Sequence, residues 1–145
     1  MKGHDPFSIL LVEDDEAARM ILASALALKF PRVALHVADN GKTGLESFRK
    51  HSPEIVITDV NMPVMDGIRM AGEIKSIDAG VRLIVLTAFD DKAVLETTTA
   101  VGIVIDHYIL KPVDYGKLFA AIEQSLAVAA PYRHHPAGSD DEKAP

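Results

Sequence analysis

Four short stretches carry the residue types from which a reactive site could be built: Glu13-Asp14-Asp15, Asp59 with Asn61 two residues on, Thr87 with Ala88, and Lys111 before Pro112. Each stands at the end of an apolar run, so an acidic cluster, one cation and one hydroxyl share a common context. Carboxylates about 4 Å apart repel by about 4 kcal/mol at an effective dielectric of about 20, so they crowd together only with a counter-charge. A hard divalent cation supplies it. Magnesium, which takes one or two carboxylates and keeps several waters, suits so small a set, with Lys111 supplying the rest. The plainer reading of the first three acids is helix capping, which accounts for one of them, Asp15. Taken singly, Asp59 reads as a turn aspartate and Thr87 as a β-branched strand terminus. Tyr108 alone is a core aromatic with its hydroxyl at the rim, and Lys111 alone a solvated surface charge.

These groups can meet only if several strand ends share one edge. Apolar runs of four to six residues at 7–12, 33–38, 55–58, 82–87 and 107–110 predict five strands. Helical spacing predicts helices over 16–29, 41–50, 66–77, 90–101 and 114–129, with Met20, Ile21, Ala25 and Leu28 on one apolar face of the first. Leu118, Ile122 and Leu126 recur at i, i+4, i+8 in the last. Alternating strands and helices make an α/β fold, a parallel sheet with helices on both faces. In such sheets the chemistry gathers outside the carboxyl ends of the strands, where these residues stand. Asp66 with Gly67 reads as a helix start after a tight turn. From about residue 131, PYRHHPAGSDDEKAP has too little apolar surface to offset the entropy of ordering, so 131–145 reads as a disordered linker or tail and 7–130 as the domain.

Composition narrows the function classes. The 145 residues, 48% apolar and 25% charged, are the size of one globular domain. A net charge of −6 argues against a nucleic-acid surface, which needs a basic stripe to neutralise phosphates. Without cysteine there is no disulfide framework, thiolate zinc site or thiol nucleophile, and the cytoplasm is the expected compartment. The start, MKGHDPFSILLVEDD, has an apolar stretch too short for a membrane span and lacks a signal peptide's layout. Histidines 4, 36, 51, 107, 134 and 135 are scattered, and no metal role is expected of them.

Four fragments in order, ILLVEDD at 9–15, ITDVNMPVMDG at 57–67, VLTA at 85–88 and YILKP at 108–112, resemble the response-regulator receiver domain of two-component signalling. The resemblance implies a flavodoxin-like, five-stranded parallel sheet of order 2-1-3-4-5. It implies Asp59 as the phosphoacceptor, and a Mg2+ site made by Glu13, Asp14, Asp59 and the backbone carbonyl of Asn61, with Asp14 favoured over Glu13 as the direct ligand. Thr87, Ala88 and Lys111 would bind the phosphoryl group, Thr87 and Tyr108 would form the switch, and Asn61 and Phe89 would flank the path of the hydrolytic water. A cis Lys111–Pro112 bond is implied as well. The implied partner is a histidine kinase or histidine phosphotransfer protein, with homodimerisation through the face of predicted helices 90–101 and 114–129 as a further arrangement. Such a domain is a phosphoacceptor switch rather than an enzyme, with kinase activity only if the chain is a fragment of a hybrid kinase.

One segment departs from the family. AVGIVIDHYILKP places Gly102 six residues before Tyr108, two more than is common, leaving the fourth predicted helix room to run on or the chain to bulge before the fifth strand. Rival functions fit less well. A haloacid-dehalogenase-type phosphatase needs a second acid two residues after its nucleophile, and here that residue is Asn61. A flavin or dinucleotide binder would need a glycine-rich phosphate loop, yet the first strand is followed by Glu13-Asp14-Asp15. A non-phosphorylated scaffold receiver is disfavoured by the intact set Glu13, Asp14, Asp59, Thr87 and Lys111. A stand-alone receiver and a receiver fragment of a multidomain regulator or hybrid kinase both remain open.

Overall fold

Strands apolar along their whole length must be covered on both faces, and the chain satisfies this with helices on either side of one sheet. The computed structural model describes residues 7–88 and 102–133. In chain order these form β1 (Ser8–Val12), α1 (Glu16–Lys29), β2 (Ala34–Ala38), α2 (Gly41–His51), β3 (Ile55–Asp59), α3 (Gly67–Ile77), β4 (Arg82–Thr87), β5 (His107–Leu110) and α4 (Tyr115–Arg133). The strands are parallel and ordered β2-β1-β3-β4-β5. The helix expected over 90–101 lies outside the described residues.

Strand side chains alternate between two cores, as the period of two requires. Ile9, Leu11, Ile55, Ile57, Ile84 and Leu86 face α1 and α4, meeting Leu22, Leu26, Leu118 and Ile122. Leu10, Val12, Val56 and Leu83 face α2 and α3, meeting Leu45, Phe48, Met70 and Ile74. Full burial of each such side chain contributes roughly 1.5–3 kcal/mol, which fixes the sheet against the helices that frame its carboxyl edge. The register then levels the strand ends, pairing Val12 with Thr58, Asp59 with Leu86, and Thr87 with Leu110.

The helices begin where short polar side chains can satisfy their free amides. Asp15, Asn40 and Asp66 cap α1, α2 and α3, accepting from the backbone N–H groups of Ala18, Thr43 and Arg69. The inward face of α1 differs from the expectation. Leu22 and Leu26 are buried, whereas Met20, Ile21 and Leu28 are 61%, 60% and 84% exposed. Apolar residues occur almost all round this helix, so spacing alone does not choose the face. Packing chooses it, with Leu22 and Leu26 against Ile9 and Leu11. At the other end of the chain, α4 continues to Arg133, beyond the expected limit at 129, with Pro131 in the last turns. A proline there forfeits one backbone N–H bond of the helix. No helix among the described residues is long and apolar enough to cross a membrane.

Candidate functional site

The site grows from the ends of β1 and β3. Glu13 follows β1 and is buried, its main-chain N–H donating to Ala38 O (3.1 Å) and its Oε2 accepting from Asp15 N (3.0 Å). Arg19, one turn into α1, donates through Nη1 to the Glu13 carbonyl (2.9 Å) and so pins the turn. Asp14 between them is exposed. Asp59 closes β3 and is 8% exposed, and its Oδ1 accepts from Val60 N at 2.8 Å. Lys111, from beyond β5, brings Nζ to 2.8 Å from Asp59 Oδ2 and 3.7 Å from Glu13 Oε1. Its peptide bond to Pro112 is cis. Carboxylate oxygens of Glu13, Asp14 and Asp59 all lie within 4.8 Å of one another.

This geometry sets the charges. Burial raises the Glu13 carboxyl above its ordinary range, and the neighbouring Asp59 charge and the Asp14 hydrogen bond push the same way, against the Asp15 amide and Lys111. For Lys111, burial favours the neutral amine, but the hydrogen bond to Asp59 and the charges of Asp59, Glu13 and Asp14 prevail and hold it above the ordinary lysine value. The ammonium is therefore the internal counter-charge for the buried acids. Three converging carboxylates give an all-oxygen, anionic donor set, which fits a hard divalent cation of the magnesium type.

Two glycines let the backbone close around Asp59. A Cβ on Gly67 would run into the Asp59 carbonyl oxygen, and the Gly67 N–H donates to Val60 O (2.8 Å), so α3 starts directly against the end of β3. Gly41, at the start of α2, donates its N–H to Met65 O (2.9 Å), and a Cβ there would strike the same oxygen. The loop from Val60 to Asp66 is thus tied at both sides. Within it Val64 takes φ 70°, a left-handed conformation that a β-branched residue adopts rarely. Met65 N donating to Pro63 O (2.7 Å) tightens the same bend.

The remaining expected residues take their places around this centre. Thr87 is buried at the end of β4, one residue past the partner of Asp59 in the register, and its Oγ1 donates to Ala88 O (3.0 Å). Tyr108 sits on β5 opposite Val85, 41% exposed, two residues before the partner of Thr87. Asn61 is exposed, two residues beyond Asp59. Phe89 lies outside the described residues. Sequence reasoning passed over Thr58, whose Oγ1 donates to Asp59 O (2.8 Å), and over Arg19 and Gly41, none of which carries a local signature. It also gave no sign that His36 and His51 meet, their rings stacked with centroids 3.7 Å apart. They lie fifteen positions apart along the chain, and only the packing of α2 on β2 brings them together.

A family model described as the response regulator receiver domain matches residues 9–123. The chain is 33% identical over 118 residues to the chemotaxis protein CheY of Bacillus subtilis, covering 81% of this chain and 96% of that one. It is 34% identical over 119 residues to the regulatory protein AtoC of Escherichia coli, of which it spans 25%. The fold matches the crystal structure of a response regulator receiver domain protein from Clostridium thermocellum with TM-score 0.75 and 26% identity, covering 83% of this chain and 94% of the other.

Proposed function

The chain belongs to the response regulator receiver domain family of two-component signalling, and from that premise we propose that Asp59 is its phosphoacceptor. In the proposed step a carboxylate oxygen of Asp59 attacks the phosphorus of a phosphohistidine on a histidine kinase or histidine phosphotransfer protein. The O–P bond forms as the P–N bond breaks, and the imidazole leaves with its electron pair and takes up a proton. Later, water attacks the acyl phosphate and returns the carboxylate and inorganic phosphate. The observation that carries this reading is the Lys111 ammonium 2.8 Å from an acid that closes the central strand β3.

Each neighbour has its own part. Lys111 holds negative charge developing on the transferring oxygens, which phosphoryl transfer needs more than covalent help. Glu13, Asp14, Asp59 and the Asn61 carbonyl would hold Mg2+, which neutralises phosphoryl charge and helps set the line of attack. Thr87 and the Ala88 main chain receive phosphoryl oxygens. A Thr87 drawn toward the new group changes the space beside β5, and Tyr108, on that strand, shifts in population between outward and inward positions. Asn61, two residues after Asp59, and Phe89, two residues after Thr87 in the sequence, set the lifetime of the acyl phosphate by governing the access of hydrolytic water.

The donor protein docks on the exposed apolar stripe Met20, Ile21 and Leu28 of α1, which begins within two turns of Asp14 and takes no part in the core. Residues 7–130 act as the receiver, its last helix running on to Arg133 into the linker or tail of 131–145, with the cytoplasm as the working compartment. The experiment is intact mass after incubation with acetyl phosphate, with and without magnesium, on the wild type and Asp59→Asn. One phosphoryl addition that needs magnesium and disappears in the variant supports the proposal. No addition to the wild type under any condition refutes it and favours a scaffold receiver.

A further inference from the structure

Lys111 can reach Asp59 only if β5 enters the sheet in one register. β5 is a four-residue edge strand, and a slip of one residue would move Lys111 by about 3.3 Å and turn every β5 side chain to the opposite face. That displacement exceeds the 2.8 Å separating the ammonium from Asp59.

The segment leading into β5 offers little to fix the register. Gly102 takes φ 77°, Val104 is 64% exposed, and Ile103 and Ile105 are only partly buried, Ile103 resting over Gly72 of α3. Asp106 behaves differently. Its main-chain N–H donates to Leu83 O (3.0 Å), and its Oδ2 accepts from Leu83 N (2.7 Å), so one residue clasps both polar groups of a single β4 residue. Its Oδ1 pairs with Arg82 Nη2 at 3.1 Å, and its side chain is 8% exposed. At the far end of the strand Lys111 N donates to Thr87 O at 2.8 Å. The pairing runs from Asp106 to Lys111 without a bulge, with His107 opposite Ile84 and Leu110 opposite Thr87.

We propose that Asp106, through its clasp on Leu83 and Arg82, is a positioning residue that fixes the register of β5 and thereby aims Lys111 at Asp59. The proposal rests on the reading of Asp59 and Lys111 as acceptor and charge-stabilising group. Among the described residues, the polar contacts of Asp106 are to Leu83 and Arg82 rather than to the site, so it acts through the strand. It compensates for the lengthened approach to β5, because the register is set at the first residue to meet β4, whatever the length before it.

The test compares Asp106→Ala, Asp106→Asn, Lys111→Ala and the double variant Asp106→Ala/Lys111→Ala with the wild type. Phosphorylation by acetyl phosphate with magnesium is followed by intact mass, magnesium affinity is measured on each protein, and backbone hydrogen exchange is measured without any phosphodonor. Asp106→Ala is expected to slow phosphorylation by at least about tenfold, since misplacing a reacting group by about 1 Å can cost about a hundredfold. Its magnesium affinity does not fall, because the acids sit on β1 and β3 and a displaced Lys111 competes less for them, and the variant loses exchange protection at the β5 amides but not at those of β1 and β3. Asp106→Asn, which retains an acceptor for Leu83 N, stays within about threefold of the wild type. In the Lys111→Ala background the alanine at 106 adds no further slowing, an outcome general loosening would not produce. Wild-type rates in Asp106→Ala, retained β5 protection, or full additivity with Lys111→Ala would each overturn the proposal. A wild type that takes up no phosphoryl group would refute the acceptor assignment, and the exchange measurement would still decide the clasp.

Discussion

Replacing Lys111 with methionine removes the internal counter-charge while keeping most of the side-chain volume. At an effective dielectric of about 20, contacts at 2.8 and 3.7 Å correspond to gross attractions of about 6 and 4.5 kcal/mol, and Glu13 and Asp59 at 4.8 Å or less repel by at least about 3.5 kcal/mol. The net effect is far smaller. Lys111 is 34% exposed, so water screens it, and its own desolvation cost vanishes with it. Breaking an exposed pair costs up to about 1 kcal/mol and a buried pair roughly 3–5, so a loss of about 2 kcal/mol is expected at neutral pH without metal. With a urea slope of roughly 1–3 kcal/mol/M, the midpoint falls by about 1 M. Removing a cation beside the acids also strengthens their hold on a divalent ion. Magnesium binding is expected to tighten about tenfold, so saturating magnesium stabilises the variant by about 1.4 kcal/mol more than the wild type. Urea titrations of both proteins, with and without magnesium chloride at constant ionic strength, measure both effects. Equal magnesium-induced shifts, or a variant as stable as the wild type without metal, would refute the view of Lys111 as the counter-charge.

Gly67→Ala should destabilise the protein by about 2 kcal/mol, because the new Cβ meets the Asp59 carbonyl and the strand end must move; urea unfolding reports the loss and intact mass a slower phosphorylation. Val64→Gly should raise stability by about 1 kcal/mol, since relief of the φ 70° conformation outweighs the entropy of an added glycine; an unchanged urea midpoint would show that Val64 is not strained. Burial, followed by the charge of His51, holds His36 below its ordinary 6.5. The folded state therefore binds fewer protons than the unfolded state between the lowered value and 6.5. Stability should be complete above about 6.5 and fall as the pH drops through that window, a slope that His36→Phe removes in pH-dependent thermal unfolding.

The inner strands β1, β3 and β4 were legible because burial on both faces keeps their middles apolar, while the edge strands β2 and β5 are only partly covered; both ends of β4 and β5 agree with the runs at 82–87 and 107–110. The start of α1 was legible from Asp15, and that of α3 from Asp66, since a capping carboxylate has a fixed place before the first turn. The inward face of α1 was not, because leucine, isoleucine, methionine and alanine surround that helix and only contact with the sheet selects Leu22 and Leu26. The acids could be read as a group from their strand-end positions. The partnership of Lys111 with Asp59 required the β3, β4, β5 order, which brings residues 52 apart in sequence to 2.8 Å. The supports at Gly41 and Asp106 were hidden for a different reason: each acts through a backbone atom of a distant residue, whose side-chain identity carries no trace of the bond. Thr58 acts on the main-chain carbonyl of its neighbour Asp59, which is equally silent in the sequence.

The bond from the Gly41 amide to the Met65 carbonyl has an experimental use of its own. An amide proton's chemical shift follows the length of its hydrogen bond, and Met65 belongs to the loop that begins at the residue after Asp59. Any rearrangement of that loop changes the acceptor of one glycine N–H on a different helix. Glycine amides resonate in a sparsely occupied part of a nitrogen–proton correlation spectrum. A single peak in uniformly labelled protein thus serves as an intrinsic spectroscopic probe of the loop after Asp59, with no dye or engineered tag near the site.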